Sequence, residues 1–189
     1  MSEAFPKPFP QSYWVIPGIL CVGPYPSGLS VEEKYDKARA IIEHRFRTII
    51  NLTAPGELSA SGEPFFDYKT LIEKTNFRSG LIHFEQHGWP DAEAPPLNTL
   101  LHVTQLVDAN ARAGRKTYLH CYGGHGRSGT VIAAWLILKG KTYDEAIQMI
   151  NDFRADLPKS HPPFEQSQLD LLKEIWDVVK ERKAKEYEA

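Results

Sequence analysis

The residues best suited to chemistry are gathered in one run, His120-Cys121-Tyr122-Gly123-Gly124-His125-Gly126-Arg127-Ser128-Gly129-Thr130. The run stands between a short β-like stretch, Thr117-Tyr118-Leu119-His120, and an apolar stretch that begins near Ser128. Gly123, Gly124 and Gly126 let the backbone turn with its N–H groups inward, which makes a concavity suited to an anion. A helix starting at the end of the run aims its positive end at the same point. Arg127 closes the loop with a planar fork that can hold two phosphate oxygens, a geometry lysine lacks. Cys121 opens the loop inside that positive field, where thiol pKa values fall from about 8.5 to about 3.5–7.5. Each unit of that fall favours the thiolate by about 1.4 kcal/mol. A thiolate facing a bound phosphate monoester attacks phosphorus and gives a phosphocysteine, which water then hydrolyses. Ser128 is placed to donate a hydrogen bond to the sulfur as it leaves. Tyr122, Gly123, Gly124, His125, Gly126 and Arg127 would then form the phosphate-binding loop.

Other uses of these residues explain less. Gly124-His125-Gly126-Arg127-Ser128-Gly129 fits the dinucleotide G-x-G-x-x-G pattern. That pattern wants an acidic residue at a strand end about 20 positions on, and Asp144 and Glu145 fall in an expected helix instead. A dyad of Cys121 with His125 leaves Arg127 without a task. His83 and His87 lie four apart on a strand-to-loop run and lack the glutamate of a zinc motif. No metal and no cofactor is expected. Cys21 is read as a buried strand cysteine, with a reversible disulfide to Cys121 as the alternative. The sequon Asn51-Leu52-Thr53 falls in an expected buried strand and carries no meaning there.

The elements that must position the loop follow from the pattern along the chain. Short strands are expected at Trp14–Ile16 and Ile19–Val22 around a Pro17-Gly18 turn, and at Thr48–Leu52, Leu81–Phe84 and Thr117–His120. Ser30-Val31-Glu32-Glu33 has the capping-box pattern and opens a helix running to about His44. Further helices are expected over Tyr68–Lys74, Leu97–Ala113, Ser128–Leu138, Tyr143–Phe153 and Phe164–Lys183, with residues 54–64 a loop. Strands alternate with helices, so the fold class is α/β, a sheet covered by helices on both faces. Residues 1–11, with three prolines, read as an extended N-terminal arm, and 12–189 as one domain with a charged C-terminal helix end.

The bulk composition sets outer limits. A chain of 189 residues with 42% hydrophobic residues can bury a core without staples. A net charge of -2 gives no sign of a surface for nucleic acid or membrane. The longest apolar run, Val131–Leu138, is far too short to cross a bilayer. Two cysteines and no signal-peptide pattern lead us to expect a cytoplasmic protein.

The run from His120 resembles the signature of the protein tyrosine phosphatase superfamily, His-Cys, five residues, Arg, then Ser or Thr. It is most similar to small dual-specificity-type members. The resemblance extends, more loosely, from about Trp14 to Leu172. It implies a single α/β domain with its site at the strand-end edge of the sheet. Such an enzyme must also protonate the leaving oxygen, and a positioned carboxylic acid contributes roughly 10²–10⁴-fold. Trp89-Pro90-Asp91-Ala92-Glu93-Ala94-Pro95-Pro96 resembles the mobile Trp-Pro-Asp loop of the larger tyrosine-specific members. That implies Asp91 as the general acid, Glu93 as the reserve and Trp89 as a hinge-side anchor. Compact members often place the acid slightly earlier, where this chain has His87 and Gly88. Pro162-Pro163-Phe164-Glu165-Gln166-Ser167-Gln168 resembles the region whose glutamine orients the hydrolytic water, with Gln166 the first choice and Gln168 its competitor.

The resemblance implies a phosphoprotein substrate, phosphotyrosine first and phosphoserine or phosphothreonine with it. No basic-aromatic phosphotyrosine-recognition segment is evident, which favours a shallower pocket. A phosphoinositide, an inositol phosphate or an RNA 5′-phosphate is the alternative, since the loop reads phosphate and not its carrier. Lipid-active relatives place lysines inside the loop, where this chain has Tyr122 and His125. A non-catalytic phosphate-binding adaptor is the reading from another class, and Cys121, Arg127 and Asp91 together argue against it. The partner is a phosphorylated protein or small phosphate ester, with no nucleic acid expected.

Overall fold

The computed structural model describes residues 5–28, 30–75, 81–157 and 164–187. Among the described residues five strands, β1 (Tyr13–Ile16), β2 (Leu20–Gly23), β3 (Thr48–Asn51), β4 (His83–Gln86) and β5 (Thr117–His120), form one sheet in the order β1-β2-β5-β3-β4. The β1–β2 hairpin is antiparallel, and every other pairing is parallel. Helices α1 (Val31–Glu43) and α2 (Tyr68–Thr75) cover one face. The other face carries α3 (Leu97–Arg112), α4 (Gly126–Leu138), α5 (Tyr143–Phe153) and α6 (Gln166–Tyr187). The expected α/β sheet with helices on both faces is the architecture observed.

Burial on both faces explains why the central strands are short apolar runs. In β3, Ile49 faces one core cluster and Ile50 the other, as period-two geometry requires. Tyr118 and Leu119 divide in the same way in β5. Each buried Leu or Ile of this kind contributes about 1.5–3 kcal/mol. Helix α4 is apolar around most of its circumference because α3, α5 and α6 all pack against it.

Local signals account for most boundaries. Both halves of the Ser30–Glu33 capping box form at α1, and Thr142 with Glu145 does the same for α5. Helix α4 begins two residues before the expected Ser128, so Arg127 already belongs to its first turn. Strand β4 lies two residues beyond the expected Leu81–Phe84, because its ladder pairs Thr48 with His83 and Asn51 with Gln86. Within the proline-rich arm, Phe9 is buried against Tyr118, with ring centroids 5.6 Å apart. Among the described residues no helix is long and apolar enough to cross a membrane.

The register sets up the site. Gly23 and Asn51 both pair with His120, and Asn51 pairs with Gln86. The segments leaving β2, β3, β4 and β5 therefore emerge at one carboxyl edge, where open parallel sheets bind ligands.

Candidate active site

The loop between β5 and α4 curls around the sulfur of Cys121, whose residue is 2% exposed. The Gly124 N–H points at Cys121 Sγ across 3.3 Å. Gly124 adopts φ +73°, and a Cβ there would stand 2.4 Å from the Gly23 carbonyl carbon, so both backbone hand and space demand glycine. His125 caps α4, whose first turn brings the N–H groups of Gly126, Arg127 and Ser128 to the same edge. Ser128 is fully buried, and its hydroxyl has no partner among the described residues. Tyr122 is 38% exposed and stands at the rim. A cleft of about 340 Å³ opens above the loop, between Asp91, Tyr122, His125 and Gln168.

Arg127 is fully buried, and its fork is held from behind by Glu57. Glu57 Oε1 accepts from Nη2 at 2.8 Å and Oε2 from Nη1 at 2.5 Å. Nη1 also donates to the Trp89 carbonyl at 2.9 Å. One edge remains: among the described residues Nε has no partner, and the other Nη2 contact is Asp91 Oδ1 at 3.1 Å. Burial works against charge on the guanidinium, but the hydrogen bonds it donates to Glu57 and the nearby Cys121 and Asp91 outweigh it and raise its pKa. Burial would likewise raise the Glu57 carboxyl, and the hydrogen bonds from Arg127 and the Ala54 N–H hold it below its ordinary value.

Asp91 is thus brought to the Cys121 loop by the segment after β4. Trp89 anchors that segment, 3% exposed, with its indole N–H donating to the Glu93 carbonyl at 3.1 Å. Ala92 takes φ 60°, turning the chain tightly beside Asp91. Gly88 abuts the Thr53 backbone so closely that any Cβ would collide with the carbonyl. The Glu93 side chain is exposed, and its main-chain carbonyl is the part used.

Beside Cys121 lies a buried polar pair. His120 Nδ1 donates to the Cys121 carbonyl at 3.2 Å, and Nε2 accepts from the Tyr68 hydroxyl at 2.7 Å. Burial pushes the His120 imidazole down to about 3, the Arg127 charge adding to it against the hydrogen bond to Cys121. It is therefore neutral, with its proton on Nδ1.

The two glutamines separate cleanly. Gln166 is exposed and donates to Asp170 one turn along, away from the cleft. Gln168 is fully buried and lines the cleft, donating to the Glu93 carbonyl at 3.1 Å and accepting from the Glu165 N–H at 3.1 Å. Gln168, not Gln166, is therefore the glutamine at the site. Pro162 and Pro163 of that segment lie outside the described residues. Cys21 packs in the core cluster on the opposite face from Cys121, and burial pushes its thiol up to about 12. The sheet between them removes the geometric basis for a disulfide.

Sequence reading missed Glu57, the His120–Tyr68 pair and Arg154, which donates to His125 Nδ1 at 2.8 Å. A buried arginine at a loop's end demands a carboxylate, and a search along the strand-end loops would have reached Glu57.

A cysteine loop over a helix N-terminus, with a buried arginine and an aspartate on a facing loop, forms a concavity suited to a phosphate. Residues 27–141 match the family model described as a polymorphic toxin system DSP-PTPase phosphatase. The bovine (Bos taurus) protein tyrosine phosphatase domain-containing protein 1 is 32% identical over 152 residues, covering 79% of this chain and 18% of that protein. The rat (Rattus norvegicus) phosphatidylglycerophosphatase and protein-tyrosine phosphatase 1 is 35% identical over 92 residues, covering 48% of this chain and 45% of that protein. The crystal structure of a mutant form of Tk-PTP superposes with a TM-score of 0.62 at 25% identity, over 91% of this chain and 99% of that one. The chain belongs to the dual-specificity and protein tyrosine phosphatase superfamily. It spans about a fifth of the length of the domain-containing protein it matches.

Proposed function

We infer that this chain hydrolyses phosphate monoesters on phosphotyrosine-bearing proteins, with phosphoserine and phosphothreonine also in reach. The Cys121 thiolate attacks phosphorus while Asp91 gives its proton to the departing phenolic or alkyl oxygen. The P–O bond breaks as the S–P bond forms. Arg127 offers its Nε–Nη2 edge to two phosphate oxygens, and the loop N–H groups take the rest. Asp91, now a carboxylate, draws a proton from water as that water attacks the phosphocysteine. Ser128 donates to the leaving sulfur, and phosphate departs. Gln168 is the side chain placed to orient the water.

The observation that carries this reading is the unpartnered Nε–H of Arg127. Glu57 and the Trp89 carbonyl occupy the back of the fork and leave, among the described residues, an unpartnered Nε–H beside the cysteine loop. A protein substrate is favoured over a lipid because Tyr122 and His125, not lysines, fill the variable loop positions. A lipid monoester is the second reading, on the similarity to the rat protein whose name carries both activities.

Cys121→Ser tests the chemistry. The serine hydroxyl stays protonated near neutral pH, so aryl phosphate turnover should stop while vanadate still binds. Substantial residual turnover removes the covalent route.

A further inference from the structure

A second and larger cavity, about 730 Å³, lies beyond Tyr122, which lines both it and the catalytic cleft. Its wall is aromatic and fixed in place. Tyr25 stacks on Phe65 with centroids 4.5 Å apart, and Phe65 leans on Tyr122 at 5.3 Å. The Tyr25 hydroxyl donates to the Phe66 carbonyl at 3.1 Å. The loop carrying Phe65 closes on itself through a Leu58–Pro64 pairing and a Ser59 N–H to Glu63 carbonyl bond of 2.8 Å. Its tip reaches the signature loop, with the Ala60 N–H on the Tyr122 hydroxyl at 3.4 Å. Across the cavity stand Lys34 and Lys37 of α1, with Lys34 Nζ 5.5 Å above the Phe66 ring.

We propose that this cavity is a substrate groove for the polypeptide flanking the phosphorylated residue, and that it selects an aromatic or large apolar side chain. The proposal rests on the phosphatase reading of the adjoining cleft. The lining decides the ligand class. Lys34 and Lys37 are balanced by Glu33 and Glu63, so no net charge favours a second phosphate or an anionic headgroup. Ser59, Ser61 and the charged groups interrupt the apolar surface that an acyl chain would need. Aromatic faces mixed with polar groups of both signs suit a peptide, whose side chain stacks while its main chain hydrogen-bonds. An extended chain advances about 3.3 Å per residue, so a residue two places from the phosphoresidue stands about 6–7 Å away, and Tyr122, which lines both cavities, is among the described residues the only side chain that links the two linings.

The test compares three kinds of substrate on the parent enzyme and on Phe65→Ala and Lys34→Ala. They are p-nitrophenyl phosphate, phosphotyrosine heptapeptides with phenylalanine or glycine two places to either side, and phosphatidic acid in phosphatidylcholine vesicles. The parent should prefer the phenylalanine peptide about tenfold in kcat/KM. Phe65→Ala should erase that preference, mainly through KM, while p-nitrophenyl phosphate turnover stays within about twofold. Lys34→Ala should weaken both peptides and spare the small ester. Equal turnover of the two peptides by the parent overturns the groove and leaves the phosphatase reading standing. So does a Phe65→Ala loss shared by p-nitrophenyl phosphate, or a vesicle substrate that outruns the peptides and depends on Phe65. No turnover of any ester by the parent strikes the phosphatase reading itself and takes the groove with it.

Discussion

Glu57 holds Arg127 through two parallel hydrogen bonds, 2.5 and 2.8 Å, across 70 positions of sequence. The pair fixes the plane of the guanidinium before any phosphate arrives and leaves, among the described residues, its Nε–H without a partner. An arginine free to swing would pay that ordering cost during substrate binding.

Glu57→Gln keeps the shape and loses the charge. We expect kcat/KM for an aryl phosphate to fall roughly 10–100-fold through a misplaced clamp, with about 1–3 kcal/mol of stability lost. The folded carboxyl sits below its ordinary value, so it binds fewer protons than in the unfolded chain. Its contribution is complete above the ordinary carboxylate range and is lost as pH falls through the depressed native value. Urea denaturation across pH 3–5 should show a shallower acid slope in the variant. An unchanged slope and unchanged turnover would make the pair incidental.

His120 titrates on a separate range. Its folded value of about 3 lies below the ordinary 6.5, so the unfolded chain takes the proton first. Stability therefore drops as pH falls from about 6.5 toward 3, and is unaffected by this group above that range. His120→Asn removes the titration. Between pH 6.5 and 5, above the window for Glu57, the parent should lose stability faster than the variant. Parallel curves would show that His120 is protonated or exposed in solution.

Strand β5 and helix α5 have the ends expected from sequence, because the Thr-Tyr-Leu run at one and apolar spacing at the other set them. The signature loop was legible for the same local reason, as eleven consecutive residues serve one purpose. Glu57 was not. It stands in a run of Gly, Ser and Pro that says only loop, and its partner enters through the parallel crossover. The phase of α6 was equally hidden, because two glutamines two residues apart face different directions on a helix and the sequence does not say which faces inward. Strand β4 slipped by two because it lies at the edge of the sheet. There its ladder with β3, rather than apolarity, sets where pairing begins.

Gln168 has two tasks that kinetics can separate. Its amide N–H holds the Glu93 carbonyl, which also receives the Trp89 indole, so it ties the acid loop to α6. Gln168→Ala should lower kcat about tenfold or more. If the glutamine positions water, the second step slows most, and rapid acid quench should trap a phosphorylated Cys121. If it only ties down the loop, no intermediate accumulates. Gln166→Ala should behave as the parent, since that side chain pairs with Asp170 on the exposed surface. A defect in Gln166→Ala equal to that of Gln168→Ala would reverse the assignment.

Asp91 occupies the edge of Arg127 that the mechanism assigns to phosphate, with Oδ1 3.1 Å from Nη2 and the side chain 59% exposed. On the proposed mechanism substrate displaces the carboxylate from Arg127 and so frees Asp91 to give a proton to the leaving oxygen. Two consequences follow for Asp91→Asn. The amide cannot donate a proton to a leaving oxygen with carboxylic-acid strength, so turnover of a phenyl phosphate should fall roughly 10²-fold or more. The amide also carries no charge to compete for Arg127, so vanadate should bind the variant at least as tightly as the parent. A leaving group that needs no proton, such as 2,4-dinitrophenyl phosphate, should recover most of the lost rate. Should Asp91→Asn keep the parental rate on phenyl phosphate while Glu93→Gln loses it, the acid is Glu93, and the contact between Asp91 and Arg127 is only a surface ion pair.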